Sequence, residues 1–442
     1  MFGWKREHCL SGFLLLCFVC HGMFFVREWI LLGSLLIIYS LHSFASICQS
    51  NYLSLAGTKF RQILSIYSIY IFLALILLSL IGLWNPVRKV EGWLEAYKWL
   101  IFLIAFLWGR SLRSSPQAGE NLLNKILAGT LLCTLIAWLP GSEHIWLPAG
   151  SLEAGRFAFF FGYPNAAAAL FGALILISLK DKKLNLFYPL FFALCLLATG
   201  SRAAVALLIL CLLILSGKRL VLKNREREER EEKEENEEKE EKEEKEEKDK
   251  KLAKEKNEKK EIANEALLFY KQAVWPGFSA RKVFLSKVFL AFLLIALGYN
   301  VLLRFPAALQ HLGNWTDTTL PERFVYYLDS FKLSLYAHFL PQAGGWLGFP
   351  FVQTIPYWTL DPHSSFCRIL LNQGLAGVII LACWVLKGLR GYIQDLRKSS
   401  DLSRICSKTA ALYLGLHSLI DVDLAFGALG ILFWLLVGLN SK

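Results

Sequence analysis

Long apolar blocks recur along this chain, and they exclude most folds. About twelve blocks of about 16 to 23 residues match the thickness of a bilayer's hydrocarbon core. They fall at roughly 9–26, 29–48, 63–84, 94–109, 122–140, 158–179, 185–199, 202–216, 284–303, 365–386, 407–424 and 426–440. In lipid, only helices or closed barrels satisfy every backbone N–H and C=O. The blocks do not alternate apolar with polar residues as barrel strands do. The sequence therefore predicts an all-α, polytopic transmembrane helical bundle of about twelve spans. A hydrophobic content of 55% and a mean hydropathy of +0.43 agree with that class. The first block follows Lys5 and Arg6, as in a signal peptide. No A-x-A-like site comes after it, so it reads as a retained first span.

Lys and Arg in the short loops set the orientation. One set of loops holds Lys5 and Arg6, Lys59 and Arg61, Arg110 and Arg113, Lys180, Lys182 and Lys183, Lys218 and Arg219, then Lys387, Arg390, Arg397 and Lys398. The alternate loops are poorer, with Arg27, Arg88 and Lys89, Arg156, Arg202 and a few in 304–364. The first set is expected to face the cytoplasm, with both termini inside and the protein multi-pass in the cytoplasmic (inner) membrane. Five segments follow: 1–223 with spans one to eight, a charged insert at 224–265, span nine and its approach at 266–303, an extracytoplasmic loop at 304–364, and spans ten to twelve at 365–442.

The insert is the sharpest break in composition. Residues 225–261 hold 19 acidic and 14 basic residues, a net of −5, so with a total of +12 the rest of the chain carries +17. That basic excess suits the anionic inner leaflet and requires no nucleic acid. The insert has no apolar stripe, so it is either an isolated helix held by Glu/Lys pairs or disordered. It reads as a solvated cytoplasmic extension. The ten cysteines lie mostly within apolar blocks and do not form a disulfide framework. Cys17-Phe18-Val19-Cys20-His21 matches the spacing of covalent haem attachment but lies inside an apolar block, where coincidence is the better reading. No metal-ligand spacing or Gly-rich nucleotide fingerprint is evident, so neither metal nor cofactor is expected.

The polar residues that break this apolar pattern converge on one membrane face. They are Thr199-Gly200-Ser201-Arg202, Glu322-Arg323 and Asp361-Pro362-His363-Ser364. Ionisable residues beside lipid are costly and read as functional. Within 304–364, Phe324, Tyr327, Leu328, Phe331 and Leu335 recur at helical spacing after Pro321, with Asp329, Ser330, Lys332 and Ser334 on much of the other face. This predicts an amphipathic helix lying on the membrane. Gly344-Gly345-Trp346-Leu347-Gly348 then offers a backbone able to approach a substrate closely. Arg156 is either a headgroup anchor or a site residue, and Asn165, after Pro164, is either a helix cap or a site residue. His417 and Asp421 stand four apart on one helical face, either pairing with each other or serving the site; Asp423 points elsewhere. Asn314-Trp315-Thr316 fits a glycosylation sequon by chance.

The order of Arg156, Pro164-Asn165, Thr199-Gly200-Ser201-Arg202, Arg323, Gly345-Trp346-Leu347-Gly348, His363 with Gly374 and Gly377, and Leu416-His417-Ser418-Leu419-Ile420-Asp421 resembles the O-antigen ligase and O-antigen polymerase superfamily. The resemblance covers roughly 150–440. It implies a glycosyltransferase that takes a glycan from a polyprenyl diphosphate carrier and joins it to an acceptor hydroxyl at the outer membrane face. Arg202 and Arg323 would hold the diphosphate and His363 would be the essential histidine. Arg156, Asn165, Asp361, His417 and Asp421 are candidate supporting residues. The acceptor is open: a lipid for ligation, a glycan for polymerisation or a protein for O-glycosylation. A transporter or flippase for lipid-linked glycans is the rival of another class, although transporters bind at the bilayer midplane between repeats.

The chemistry fits these residue types. The leaving diphosphate gains charge, and arginine matches phosphate oxygens with a fork of donors. One such contact is worth about 2.7–4 kcal/mol, by analogy with an oxyanion-hole donor. A histidine base near neutral pH contributes about 10²–10⁴-fold. Asp361 or Asp421 is expected to orient it. Deleting 225–261 should leave transfer activity mostly intact; loss of activity in a normally inserted deletion protein would count against the solvated-extension reading.

Overall fold

The computed structural model describes residues 6–50, 67–138, 152–153, 155–180, 186–222 with 224 and 227, 298–299, 306–313, 319–354, 359 and 361–441. The expected ninth span, the body of the charged insert and the sequon lie outside the described residues. The chain divides into two compact units, Met1–Leu212 with Leu294–Lys442, and Leu213–Leu293. The described part of the second unit is helical. Apart from the end of α8, everything below concerns the first.

The described secondary structure is helical apart from one small ladder. The helices are α1 (Arg6–Val19), α2 (Val26–Ser50), α3 (Tyr67–Ile81), α4 (Lys89–Arg113), α5 (Pro116–Ala137), α6 (Pro164–Ser178), α7 (Phe187–Thr199), α8 (Arg202–Leu222), α9 (Pro306–Gly313), α10 (Thr319–Tyr336), α11 (Ser365–Lys398), α12 (Leu402–Ile420) and α13 (Gly427–Asn440). Strands β1 (Leu152–Glu153) and β2 (Arg156–Phe157) pair antiparallel just before α6.

The all-helical expectation holds, while the count of twelve spans is not confirmed among the described residues. Among the described residues, three helices are long and apolar enough to cross a bilayer: α5, α8 and α11. Shorter apolar helices cover Ser68–Trp84, α6, α7 and α13. The reason is physical: at about 1.5 Å of rise per residue, a helix of about 15 residues falls short of a hydrocarbon core of about 30 Å. Elsewhere charge interrupts the apolar run, as at Glu91, Glu95 and Lys98 in α4.

The core is built on close backbone approach. Helices α4 and α13 pack where a Cβ on Gly109 would strike the Leu435 carbonyl and one on Gly438 would strike the Phe106 carbonyl. Around them Phe72, Trp99, Phe106 and Trp434 interlock, with the Phe72 and Trp434 ring centroids 4.5 Å apart. Small residues that admit close approach are how helices associate without a water-driven hydrophobic effect. Helix α6 is apolar all round and buried on every side apart from Asn165, which makes it an interior helix. Its first turn carries the candidate Asn165.

Helix α10 inverts the pattern of a soluble amphipathic helix. It begins at Thr319, two residues before Pro321. Phe324, Leu328, Phe331 and Leu335 are exposed, while Asp329, Ser330 and Ser334 are buried. Asp329 accepts from the Thr354 N–H at 3.0 Å and from the Thr354 hydroxyl at 3.2 Å, so its buried charge is bonded. An apolar face turned outward with a polar face inward suits a lipid-facing helix. Helix α11 kinks at Gly374, where φ is +68°. The chain after α10 docks there: Leu375 N–H donates to the Phe339 carbonyl at 3.1 Å and Gln342 N–H to the Asn372 carbonyl at 3.0 Å. The glycine-rich stretch therefore approaches α11 closely, as the 3-10 turn Gly345–Phe351, with Gly345 against the Leu371 carbonyl.

Gly438→Val should force α4 and α13 apart. Overpacking costs about 1–3 kcal/mol, read as a lower thermal midpoint in detergent; an unchanged midpoint would mean the glycine contact is not tight.

Candidate functional site

Helix α12 ends at Ile420, and Asp421 takes an extended conformation with φ −141° and ψ 175°. That break turns its carboxylate away from α12 and into the protein, where it is 1% exposed. Four donors meet it: two from the head of α6, one from α10 and the backbone N–H of the next residue. Tyr163 Oη donates to Oδ1 at 2.9 Å, Asn165 Nδ2 to Oδ2 at 2.8 Å, Arg323 Nη2 to Oδ2 at 3.1 Å, and the Val422 N–H to Oδ1 at 2.8 Å. The Asp421 carbonyl accepts from the Ser365 N–H at 3.3 Å, tying the start of α11 to the same point.

The last carbonyls of a helix need partners from outside it. Here α10 supplies them: Arg323 Nη1 donates to the Ile420 carbonyl and Tyr327 Oη to that of Leu419. Burial pulls the Arg323 pKa down, but the Asp421 carboxylate outweighs it, so the net shift is upward. Arg156 extends the network, donating from Nη2 to Asn165 Oδ1 at 3.0 Å and from Nε to the Thr199 carbonyl at 2.7 Å. His311 donates to the neighbouring Gly200 carbonyl at 3.1 Å. The turn leading to Arg202 is thus gripped from two sides. Arg202 opens α8 and is half-buried.

His363 lies in the tight turn between Asp361 and α11. Its φ is +47°, a left-handed conformation costing a non-glycine residue about 1–3 kcal/mol. Asp361 Oδ1 holds it there by accepting its N–H at 3.0 Å. The imidazole is 25% exposed, and its Nδ1 stands 3.8 Å from Asp421 Oδ1, longer than a hydrogen bond. Nε2 lies 3.1 Å from the Thr359 hydroxyl, and the Tyr326 ring stacks on the imidazole with centroids 5.9 Å apart. Burial raises the Asp361 pKa, opposed by Arg368 and His363; the Arg368 Nη1 is 3.4 Å from its Oδ2.

His363, Arg323, Asp421, Asn165, Arg156 and Asp361 therefore come together. Asn165 is not a helix cap, since its amide spans Arg156 and Asp421. His417 does not pair with the Asp421 side chain. Its Nδ1 lies 2.6 Å from Asp423 Oδ2, both residues being buried. Helical spacing misleads here because α12 stops before Asp421, so the wheel does not extend to either aspartate. Sequence reasoning also missed Tyr163 and Arg368. Tyr163 adjoins the Pro164-Asn165 pair, a signal by proximity; Arg368 sits within an apolar span, where an ionisable residue invites a functional reading.

Among the described residues no group of His, Cys, Asp or Glu is arranged to hold a metal ion, and the described cysteines are free thiols. No family model, curated protein or solved structure matches this chain.

Asp421→Ala should strand the buried Arg323 guanidinium. Breaking a buried pair costs about 3–5 kcal/mol, and Asp421→Asn, which keeps an acceptor oxygen, should cost less. A wild-type thermal midpoint in both variants would contradict the ion pair as a source of stability.

Proposed function

We propose that this protein is a membrane glycosyltransferase, moving a glycan from a polyprenyl diphosphate carrier to an acceptor hydroxyl as members of the O-antigen ligase and polymerase superfamily do. The observation that carries this reading is the meeting of Arg323, Asp421 and His363 at one buried point, with Arg156 and Asn165 beside them. The site is assigned to the extracytoplasmic face of the cytoplasmic membrane, from the distribution of Lys and Arg among the loops.

In this reading the acceptor oxygen attacks the anomeric carbon and the bond from that carbon to the diphosphate breaks. His363 removes the acceptor proton. Nδ1, turned toward Asp421, keeps its own proton, leaving Nε2 beside Thr359 to act as the base. The Asp421 carboxylate stabilises the imidazolium that forms. The bonding electrons leave with the diphosphate, whose growing charge falls to Arg323 and Arg202. Ile420 and Asp421 occupy part of the Arg323 fork, and a guanidinium has further N–H donors for a phosphate oxygen.

The test supplies purified protein with an undecaprenyl-diphosphate-linked glycan and a panel of lipid, glycan and peptide acceptors. Wild type should transfer, and His363→Ala should lose about 10²–10⁴-fold in kcat while still inserting and folding. Equal transfer by both proteins would remove His363 from the mechanism.

A further inference from the structure

The geometry points to Arg368 as a positioning residue for His363, acting through the carboxylate of Asp361. The inference rests on the reading of His363 as general base. Arg368 contacts Asp361 Oδ2 at 3.4 Å, while Oδ1 of the same carboxylate accepts the His363 N–H at 3.0 Å. One carboxylate thus couples a guanidinium to the backbone of a residue in a left-handed conformation. A strained turn keeps its shape only where its surroundings impose it. The N–H acceptor is that constraint, and it is strongest while Asp361 is ionised. Burial works against ionisation; Arg368 and the imidazole favour it, and Asp421 opposes it.

Arg368 is itself braced. Its guanidinium lies 4.3 Å from the Trp346 ring centroid. The Trp346 N–H points to Asn372 Oδ1 at 3.4 Å, one turn further along α11 than Arg368. Beside it is a small cleft lined by Arg368, Asn372, Glu95 and Lys98. There Glu95 of α4 bonds Lys98 at 2.9 Å and acts electrostatically on Arg368. The arginine therefore stands between Glu95 and Asp361, with its plane set by an indole. Lysine has the charge for this role but neither the fork nor the stacking face.

The first measurement needs no substrate. Hydrogen exchange of the peptide containing His363, corrected for intrinsic rate, is followed against pH in wild type, Arg368→Gln, Asp361→Ala and the double variant. Arg368→Gln should exchange roughly tenfold faster at neutral pH, the scale of one lost hydrogen bond. As pH falls it should lose protection earlier than wild type, because without the cation Asp361 protonates at higher pH. Arg368→Lys should keep most of the wild-type pH midpoint. The double variant should match Asp361→Ala, since Arg368 acts through that carboxylate. Unchanged protection in Arg368→Gln, or effects that multiply in the double variant, would overturn the proposal. Should Arg368→Gln fail to insert, Trp346→Leu takes its place in the same cycle and is judged in the same way.

Transfer assays then separate this inference from the reading beneath it. Arg368→Gln should lower kcat with little change in KM for the undecaprenyl-linked donor. Full transfer by His363→Ala would overturn the general-base reading itself. Loss of transfer in His363→Ala alongside wild-type kcat in Arg368→Gln would overturn the positioning role alone.

Discussion

The buried carboxylate of Asp421 joins segments that are far apart in the chain. It draws in Tyr163 and Asn165 at the head of α6, Arg323 from α10, and the start of α11 through its own carbonyl. A charge in such a place is tolerable only when its oxygens are bonded and its opposite is near. Meeting that condition dictates where α12 must stop and which face of α10 turns inward. It also places the His363 turn, because the residues that open α11 are fixed against the same backbone.

The surrounding helices make the point rigid through packing that needs little side-chain volume. Glycines at the α4–α13 contact and the alanine run of α6 let backbones come together. The apolar residues spared from that contact face outward, as on α10. The protein therefore gathers polar groups at an interior point and turns apolar side chains outward on helices such as α10, the arrangement that lipid as a solvent favours. Arg156 holds both Asn165 and the Thr199 carbonyl, so the same network reaches the turn before α8.

Much of this site was legible in the chain because charge within apolar sequence is rare and has to be explained. Arg323, His363 and Asp421 stand out on that ground alone, as do Arg156 and Asn165 beside a proline that starts a helix. The partnerships were less legible. His417 and Asp421 have helical spacing, but the helix ends between them, and Asp423 becomes the partner of His417. Gly344 and Gly345 read as a backbone able to approach a substrate closely, yet Gly344 lies against the Glu91 side chain and Gly345 against the Leu371 carbonyl of α11. Apolar length alone did not fix the spans among the described residues, because a hydropathy pattern does not register where a helix breaks or where buried ion pairs admit charge.

The sequence by itself determined the helical class, the lipid-compatible surface and the set of ionisable residues that had to be accounted for. These follow from composition and local period, which act over a few residues. Only the tertiary structure decided which donors meet which carboxylate, which face of α10 is buried, and that His363 sits in a left-handed turn held by Asp361. Those outcomes depend on helix termini and on contacts between residues hundreds of positions apart, such as Tyr163 with Asp421. No local pattern encodes them.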